Sequence, residues 1–215
     1  MSLSTRYYSE SLSFPNASKL YVENPHKVYK NLFLRDPRYN TVISNFGFSY
    51  DKVLKSVENL QIGTCLDIGS GRGIMIEYFK ENRPEIKVYS TDLEKFHHHN
   101  VDFMEIDLFK PETLDRIENE WPKMDLVTCL DVMEHLPLSV IDGVLQRLSR
   151  IGRISIFTIA NHPDIHDGVE LHLTKENSEF WSSALKNHYE IAVQEDYLFG
   201  ANELYYFACY SKAFL

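Results

Sequence analysis

The sequence predicts an α/β fold: a doubly wound, mostly parallel seven-stranded sheet with antiparallel last strands and an N-terminal helical cover. Three observations lead there. From Thr64 onward, apolar runs of strand length alternate with helical stripes, the pattern of a parallel sheet covered on both faces. A glycine turn, Gly69-Ser70-Gly71-Arg72-Gly73, stands between the first run and the first stripe. Near the end, two strand-like runs follow one another with no helix between them, which is most simply an antiparallel pair.

Taken in order, residues 1–60 differ from the rest, with Tyr7, Tyr8, Tyr21, Tyr29, Tyr39 and Tyr50, several prolines and no strand pattern. Lys27 to Leu34 and Tyr50 to Leu60 read as short helices. Strand-length apolar runs then fall at 64–68, 86–91, 101–106, 125–130 and 153–159. The segment Ile74 to Lys80 is amphipathic, and Leu138, Ile141, Val144, Leu145 and Leu148 keep a helical spacing, as do Phe180, Trp181, Ala184 and Leu185. Tyr189, Ile191 and Val193 alternate with polar residues, and Leu204 to Tyr210 is a second apolar run beyond the loop at Gly200. The expected organisation is one domain over 1–215, with 1–60 a cover or substrate lid and 61–215 a cofactor-binding core.

Bulk properties narrow the function classes. The chain is 44% hydrophobic and 25% charged, an ordinary globular balance, and its formal net charge of -9 disfavours a broad polyphosphate-binding surface. Cys65, Cys129 and Cys209 lie inside apolar runs without metal-ligand spacing, so buried thiols and a reducing, cytoplasmic setting are expected. Met1 to Pro15 lacks the apolar centre of a signal peptide, no run approaches a membrane span, and the sequon Asn16-Ala17-Ser18 reads as coincidental.

The glycine turn opens a nucleotide-sized crevice at the end of the first strand. Its spacing is G-x-G-x-G, and a dinucleotide fingerprint would need glycine where Ile74 stands. Asp67, two residues before Gly69, would repel a pyrophosphate and suits a positively charged ligand group. The second strand ends at Asp92, about 20 residues on, where a carboxylate accepts from both ribose hydroxyls. The third leads to Asp107 and the fourth to Leu130-Asp131-Val132-Met133-Glu134-His135-Leu136.

Asp67-Ile68-Gly69-Ser70-Gly71-Arg72-Gly73, Asp92, Asp107 and Asp131-Val132-Met133-Glu134-His135-Leu136 together resemble the class I S-adenosylmethionine-dependent methyltransferases, whose Rossmann-like fold ends in antiparallel strands. The resemblance covers roughly 60–210. It implies S-adenosylmethionine as cofactor. Gly69, Ser70, Gly71 and Gly73 would lie under its methionine part and Asp67 near its ammonium. Asp92 with Leu93 would hold the ribose, Asp107 with Leu108 the adenine, and Leu130 and Asp131 the methionine and sulfonium region.

A hydroxyl or protonated amine acceptor needs a base, and histidine is suited near neutral pH. His135 follows the fourth strand, and His162, His166 and His172 follow the fifth in a long polar loop. One of His135, His162 and His172 is the expected general base, while His97-His98-His99 reads as a solvated turn or the adenine edge. No metal is assigned. A rival reading takes Asp131, Glu134, His135 and His172 as a divalent-metal set, similar to metal-dependent small-RNA 2′-hydroxyl methyltransferases, whose first acid is glutamate. The expected partner is a small-molecule acceptor, by oxygen or nitrogen. Nucleic acid is disfavoured by the charge of -9 and by Lys and Arg that are only scattered, and no Asn/Asp-Pro-Pro-Tyr, the motif of amino-methylating nucleic-acid enzymes, follows the fourth strand. The alternatives left standing are the RNA enzyme and a non-catalytic cofactor-binding module. The aromatic N-terminus is expected to line the substrate pocket.

Overall fold

The computed structural model describes residues 21, 23–35, 44–166 and 168–215. Tyr7, Tyr8, Tyr39 and the sequon at Asn16 lie outside them. One seven-stranded sheet runs in the order β3-β2-β1-β4-β5-β9-β8. Its strands are β1 (Thr64–Ile68), β2 (Lys87–Asp92), β3 (Asp102–Glu105), β4 (Met124–Leu130), β5 (Gly152–Asn161), β8 (Tyr189–Phe199) and β9 (Asn202–Ser211). β1 through β5 pair in parallel, and β9 enters antiparallel between β5 and β8. The expected sheet is therefore present in number, direction and order of elements.

Six α-helices are described: α1 (Pro25–Arg35), α2 (Ser44–Val57), α3 (Ile74–Asn82), α4 (Asp115–Glu120), α5 (Leu138–Ile151) and α6 (Ser178–Lys186). The inner strands are apolar on both faces because helices cover both. Leu66 and Ile68 of β1 pack with Val144, Leu148 and Trp181 of α5 and α6. Cys65, one position out of phase, packs with Val53 and Val57 of α2 and Ile76 and Phe79 of α3. At the edge, β8 alternates half-buried and exposed residues, as a strand with one solvated face should.

Two differences from the sequence reading matter. The polar loop after β5 is partly ordered as a small hairpin, β6 (Ile165–His166) with β7 (Val169–Glu170). Its strands are two residues long, too short for an apolar alternation to be visible. And α2 begins at Ser44, ahead of the Tyr50 expected, and serves as a core layer on the sheet. Among the described residues, α1 is the helix that covers the cleft. It packs with Tyr21 on Val169, Leu171 and Phe109, forming a third apolar cluster.

Candidate active site

Strand order reverses around β1, whose neighbours are β2 and β4. In such sheets the crevice opens beyond the carboxyl ends at that point. A cleft of about 640 Å³, counted out to its open mouth, lies there. Gly69, Gly71, Thr91, Asp92 and Leu93 form one wall, Ile106, Leu108 and Phe109 a second, Asp131, Val132, His135 and Leu136 a third, and Tyr29 and Phe33 of α1 the cover.

The glycine turn is required by contact as well as by conformation. Gly69 has φ +68°, and a Cβ there would stand 2.5 Å from Val132 Cγ2, so the loop after β4 rests directly on backbone. Gly73, at φ +78°, would put a Cβ 2.4 Å from His99 Cδ2. Gly73 thus admits the loop after β2 and does not line the cleft. His97 in that loop is buried beside Ser90 and its pKa is pushed down to about 4 by desolvation. This corrects the expectation of a solvated turn at His97, while His98 beside it is exposed. Ser70 donates its backbone N–H to the Thr91 carbonyl (2.9 Å), and its buried hydroxyl has no partner.

Asp92 closes the turn. Its carboxylate accepts from the Gly71 N–H (2.8 Å) and the Leu93 N–H (2.7 Å), and burial still raises its pKa to about 6. Asp67 lies behind the turn, outside the cleft wall, and accepts from the Thr128 hydroxyl at 2.8 Å. Burial lifts it to about 7, with the nearby Asp92 adding to the effect. Asp107 accepts from the Phe109 N–H (3.1 Å) and pairs with Lys110 (3.0 Å). It shapes the turn that places Leu108 and Phe109 in the wall, and is itself outside it. Leu130 is buried under α2 and α3.

Asp131 holds a left-handed backbone, φ +52°, uncommon for a residue with a Cβ. Thr158 sustains it: its carbonyl accepts the Asp131 N–H (2.9 Å) and its hydroxyl donates to the Asp131 carboxylate (2.8 Å). Burial raises this acid to about 6. The turn of 3-10 helix at Met133–His135 then buries Glu134 completely, with Oε1 accepting from the Ala160 N–H at 2.9 Å. Its Oε2 has no partner, and burial moves its pKa far upward.

The three nominated histidines do assemble. The His135 ring lies 4.6 Å from that of His172, and His172 lies 5.0 Å from His162, centroid to centroid. Of the three only His135 lines the cleft. Its Nδ1 donates to the Leu171 carbonyl (3.2 Å), and His172 Nδ1 donates to the His162 carbonyl (2.6 Å). Burial holds both below the ordinary imidazole pKa, so both are neutral near pH 7. His166 is drawn away to Asp164 at 2.8 Å.

The contacts that anchor α1 were not read from the sequence. Tyr21 donates to the His135 carbonyl (3.0 Å) and meets the Tyr29 hydroxyl (3.0 Å). At the other rim, His26 and Lys30 pair with Glu94 (2.9 and 3.0 Å), and Arg72 donates to the Phe33 carbonyl (3.0 Å). The helix is thereby anchored on both sides of the cleft. These contacts join residues distant in sequence, so no local spacing announced them.

Residues 36–183 match the family described as a methyltransferase domain. No curated protein sequence matches the chain significantly. Similar solved structures include the Burkholderia thailandensis 1,6-didemethyltoxoflavin-N1-methyltransferase, solved with 1,6-didemethyltoxoflavin and S-adenosylhomocysteine (15% identity, TM-score 0.64, 95% of this chain and 93% of that one). A S-adenosylmethionine-dependent methyltransferase from Clostridium acetobutylicum follows (14%, 0.60, 87% and 99%). So does the N-methyltransferase NodS from Bradyrhizobium japonicum, solved with S-adenosylhomocysteine (11%, 0.55, 81% and 92%). At these identities the neighbours establish the fold. The family match spans most of the sequence, and the chain belongs to the methyltransferase-domain family.

Proposed function

We propose that this chain transfers a methyl group from S-adenosylmethionine to an oxygen or nitrogen of a small acceptor, in a reducing cytoplasmic setting. One observation carries the cofactor. Asp67, Asp92 and Asp131 surround one glycine turn, and burial raises each of them, to about 7, 6 and 6. A pocket with Asp92 and Asp131 in its wall and Asp67 close behind it repels phosphate and favours a ligand with positive charge. S-adenosylmethionine brings an ammonium and a sulfonium, and when bound it supplies an electrophilic methyl carbon.

The residues divide the work. Gly69 and Gly71 offer bare backbone for close approach. Asp92 retains lone pairs beyond its two backbone bonds for the ribose hydroxyls, since a carboxylate accepts about four. Leu93, Ile106 and Leu108 give the adenine an apolar slot, with Asp107 at its amino edge. Asp67 offsets the ammonium, and Leu130 and Asp131 shape the methionine end. Tyr29 and Phe33 shed water from the reacting centre, and one of the clustered His135, His162 and His172 takes the acceptor's proton.

An open cleft with apolar walls under an aromatic-bearing helix suits a small molecule beside the cofactor, and the charge of -9 offers nucleic acid little attraction. The test offers labelled S-adenosylmethionine with a panel of small phenols, alcohols and amines, and in parallel with RNA oligonucleotides. Label should enter small acceptors only. Label in RNA alone, or in nothing while the product S-adenosylhomocysteine still binds, contradicts the reading.

A further inference from the structure

We infer that Glu134, His135 and His172 form a binding site for a divalent transition-metal ion at the acceptor end of the cleft. Each residue offers a donor atom, and the three atoms lie within 4.8 Å of one another. In both imidazoles Nδ1 donates to a backbone carbonyl, Leu171 for His135 and His162 for His172. That fixes the tautomer and leaves Nε2, with its lone pair, as the ligand atom, the outer-shell arrangement metal-binding histidines require.

The carboxylate gives an independent sign. Glu134 is fully buried, and one oxygen is held by the Ala160 N–H while Oε2 faces no partner. A carboxylate oxygen buried and unmatched is rare, and a cation is what it lacks. Thr174 ties the site to the loop after β7, its N–H donating to the Glu134 carbonyl (3.0 Å) and its hydroxyl to the Leu136 carbonyl (2.7 Å).

Two imidazoles and one carboxylate suit zinc, cobalt, iron or manganese more than calcium or magnesium. Bonds of about 2.1 Å in tetrahedral geometry set ligands about 3.4 Å apart, so the donors, now within 4.8 Å of one another, must draw closer around an ion. The set differs from the four residues read from sequence, because the Asp131 carboxylate is engaged by Thr158 and stands outside it. A three-ligand site keeps a position open, and His135 turns it toward the cleft. An acceptor hydroxyl is the chemical class that position suits. With His135 and His172 engaged, His162 is the imidazole left to receive the proton. This placement of the acceptor rests on the proposed function; the metal site itself does not.

The experiment uses the full chain, stripped with chelator and dialysed. Co²⁺ alone is titrated by visible absorption and Zn²⁺ alone by calorimetry. We expect one equivalent bound, with cobalt ligand-field bands. Glu134→Gln and His172→Ala should each weaken binding by about 10- to 100-fold, while His98→Ala, at an exposed position, leaves it unchanged. Absence of the bands, or affinity unmoved in both variants, overturns the site. If Glu134→Gln does not fold, His172→Ala alone decides. S-adenosylhomocysteine calorimetry on the stripped protein separates the two ideas. Intact binding without metal uptake removes the metal site alone, whereas absent binding removes the proposed function.

Discussion

Asp92 offers the sharpest perturbation. Its two oxygens accept from the Gly71 and Leu93 N–H groups at 2.8 and 2.7 Å, so the side chain holds the glycine turn and faces the cleft at once. In Asp92→Asn one oxygen becomes an NH₂ that confronts a backbone N–H. A buried donor is left unmatched, and the acceptor for the ribose hydroxyls is weakened. Hydrogen bonds to a charged group contribute about 1.5–3 kcal/mol each. Losing one to two of them predicts roughly 3 kcal/mol, or about a hundredfold weaker S-adenosylhomocysteine binding. The pH profile provides a second reading. With the free-protein pKa raised to about 6, the carboxylate is ionised above that value and protonated below it. Affinity in the parent protein should therefore rise from pH 5 and level off above pH 7, by about tenfold from this group. Asp92→Asn should lose that part of the slope. Calorimetric titration at pH 5, 6, 7 and 8 measures both. An Asn variant within threefold of the parent at pH 7.5, with an unchanged pH profile, would refute the reasoning.

Three further predictions follow from the same geometry. Asp67 is raised to about 7, against about 3.9 in an unfolded chain, so the native state holds its proton more tightly. Stability of the free protein is then greatest below pH 4 as far as this group is concerned, and declines as pH rises to about 7. Asp67→Asn should remove that decline, by up to about 4 kcal/mol between urea unfolding at pH 4 and pH 8, and weaken cofactor binding as well. In Gly69→Ala, the Cβ meets Val132 Cγ2 at 2.5 Å on a backbone with φ +68°. A loss of about 2–3 kcal/mol is expected, of which Val132→Ala in the same chain restores the packing part but not the backbone part; full restoration would contradict this. Tyr29→Ala removes a ring that lies 5.9 Å from His135 and lines the cleft. The acceptor's KM should rise about tenfold while S-adenosylhomocysteine affinity changes less than threefold, and steady-state kinetics beside calorimetry would expose an equal loss of both.

Legibility in the sequence followed the range of the interactions. β1 was readable to the residue because an apolar run, an acid and a glycine turn are local signals. The antiparallel pairing of β8 with β9 followed from the missing helix between 199 and 202. Asp92 was placed by its spacing from the glycines, and the structure brings it to the turn. Gly73 carried the same local pattern but answers to His99 of the loop after β2, a contact that spacing cannot encode. Asp107 shows the limit of an acid after a strand: its visible bonds are those of a turn former. Glu134 and the three histidines were named from two loops, yet their mutual distances depend on how the β6–β7 hairpin folds back, which no periodicity revealed. The anchoring of α1 by Tyr21, Glu94 and Arg72 was invisible for the same reason.

The central claim is that the glycine turn and Asp92 cradle S-adenosylmethionine. A crystal structure of the chain with S-adenosylhomocysteine tests it most directly. The account predicts the ribose hydroxyls within hydrogen-bond distance of Asp92, the adenine between Leu93 and Leu108, and the amino-acid end over Gly69 toward Asp131. A nucleoside seated elsewhere, or one whose ribose leaves Asp92 bound only to Gly71 and Leu93, would contradict it.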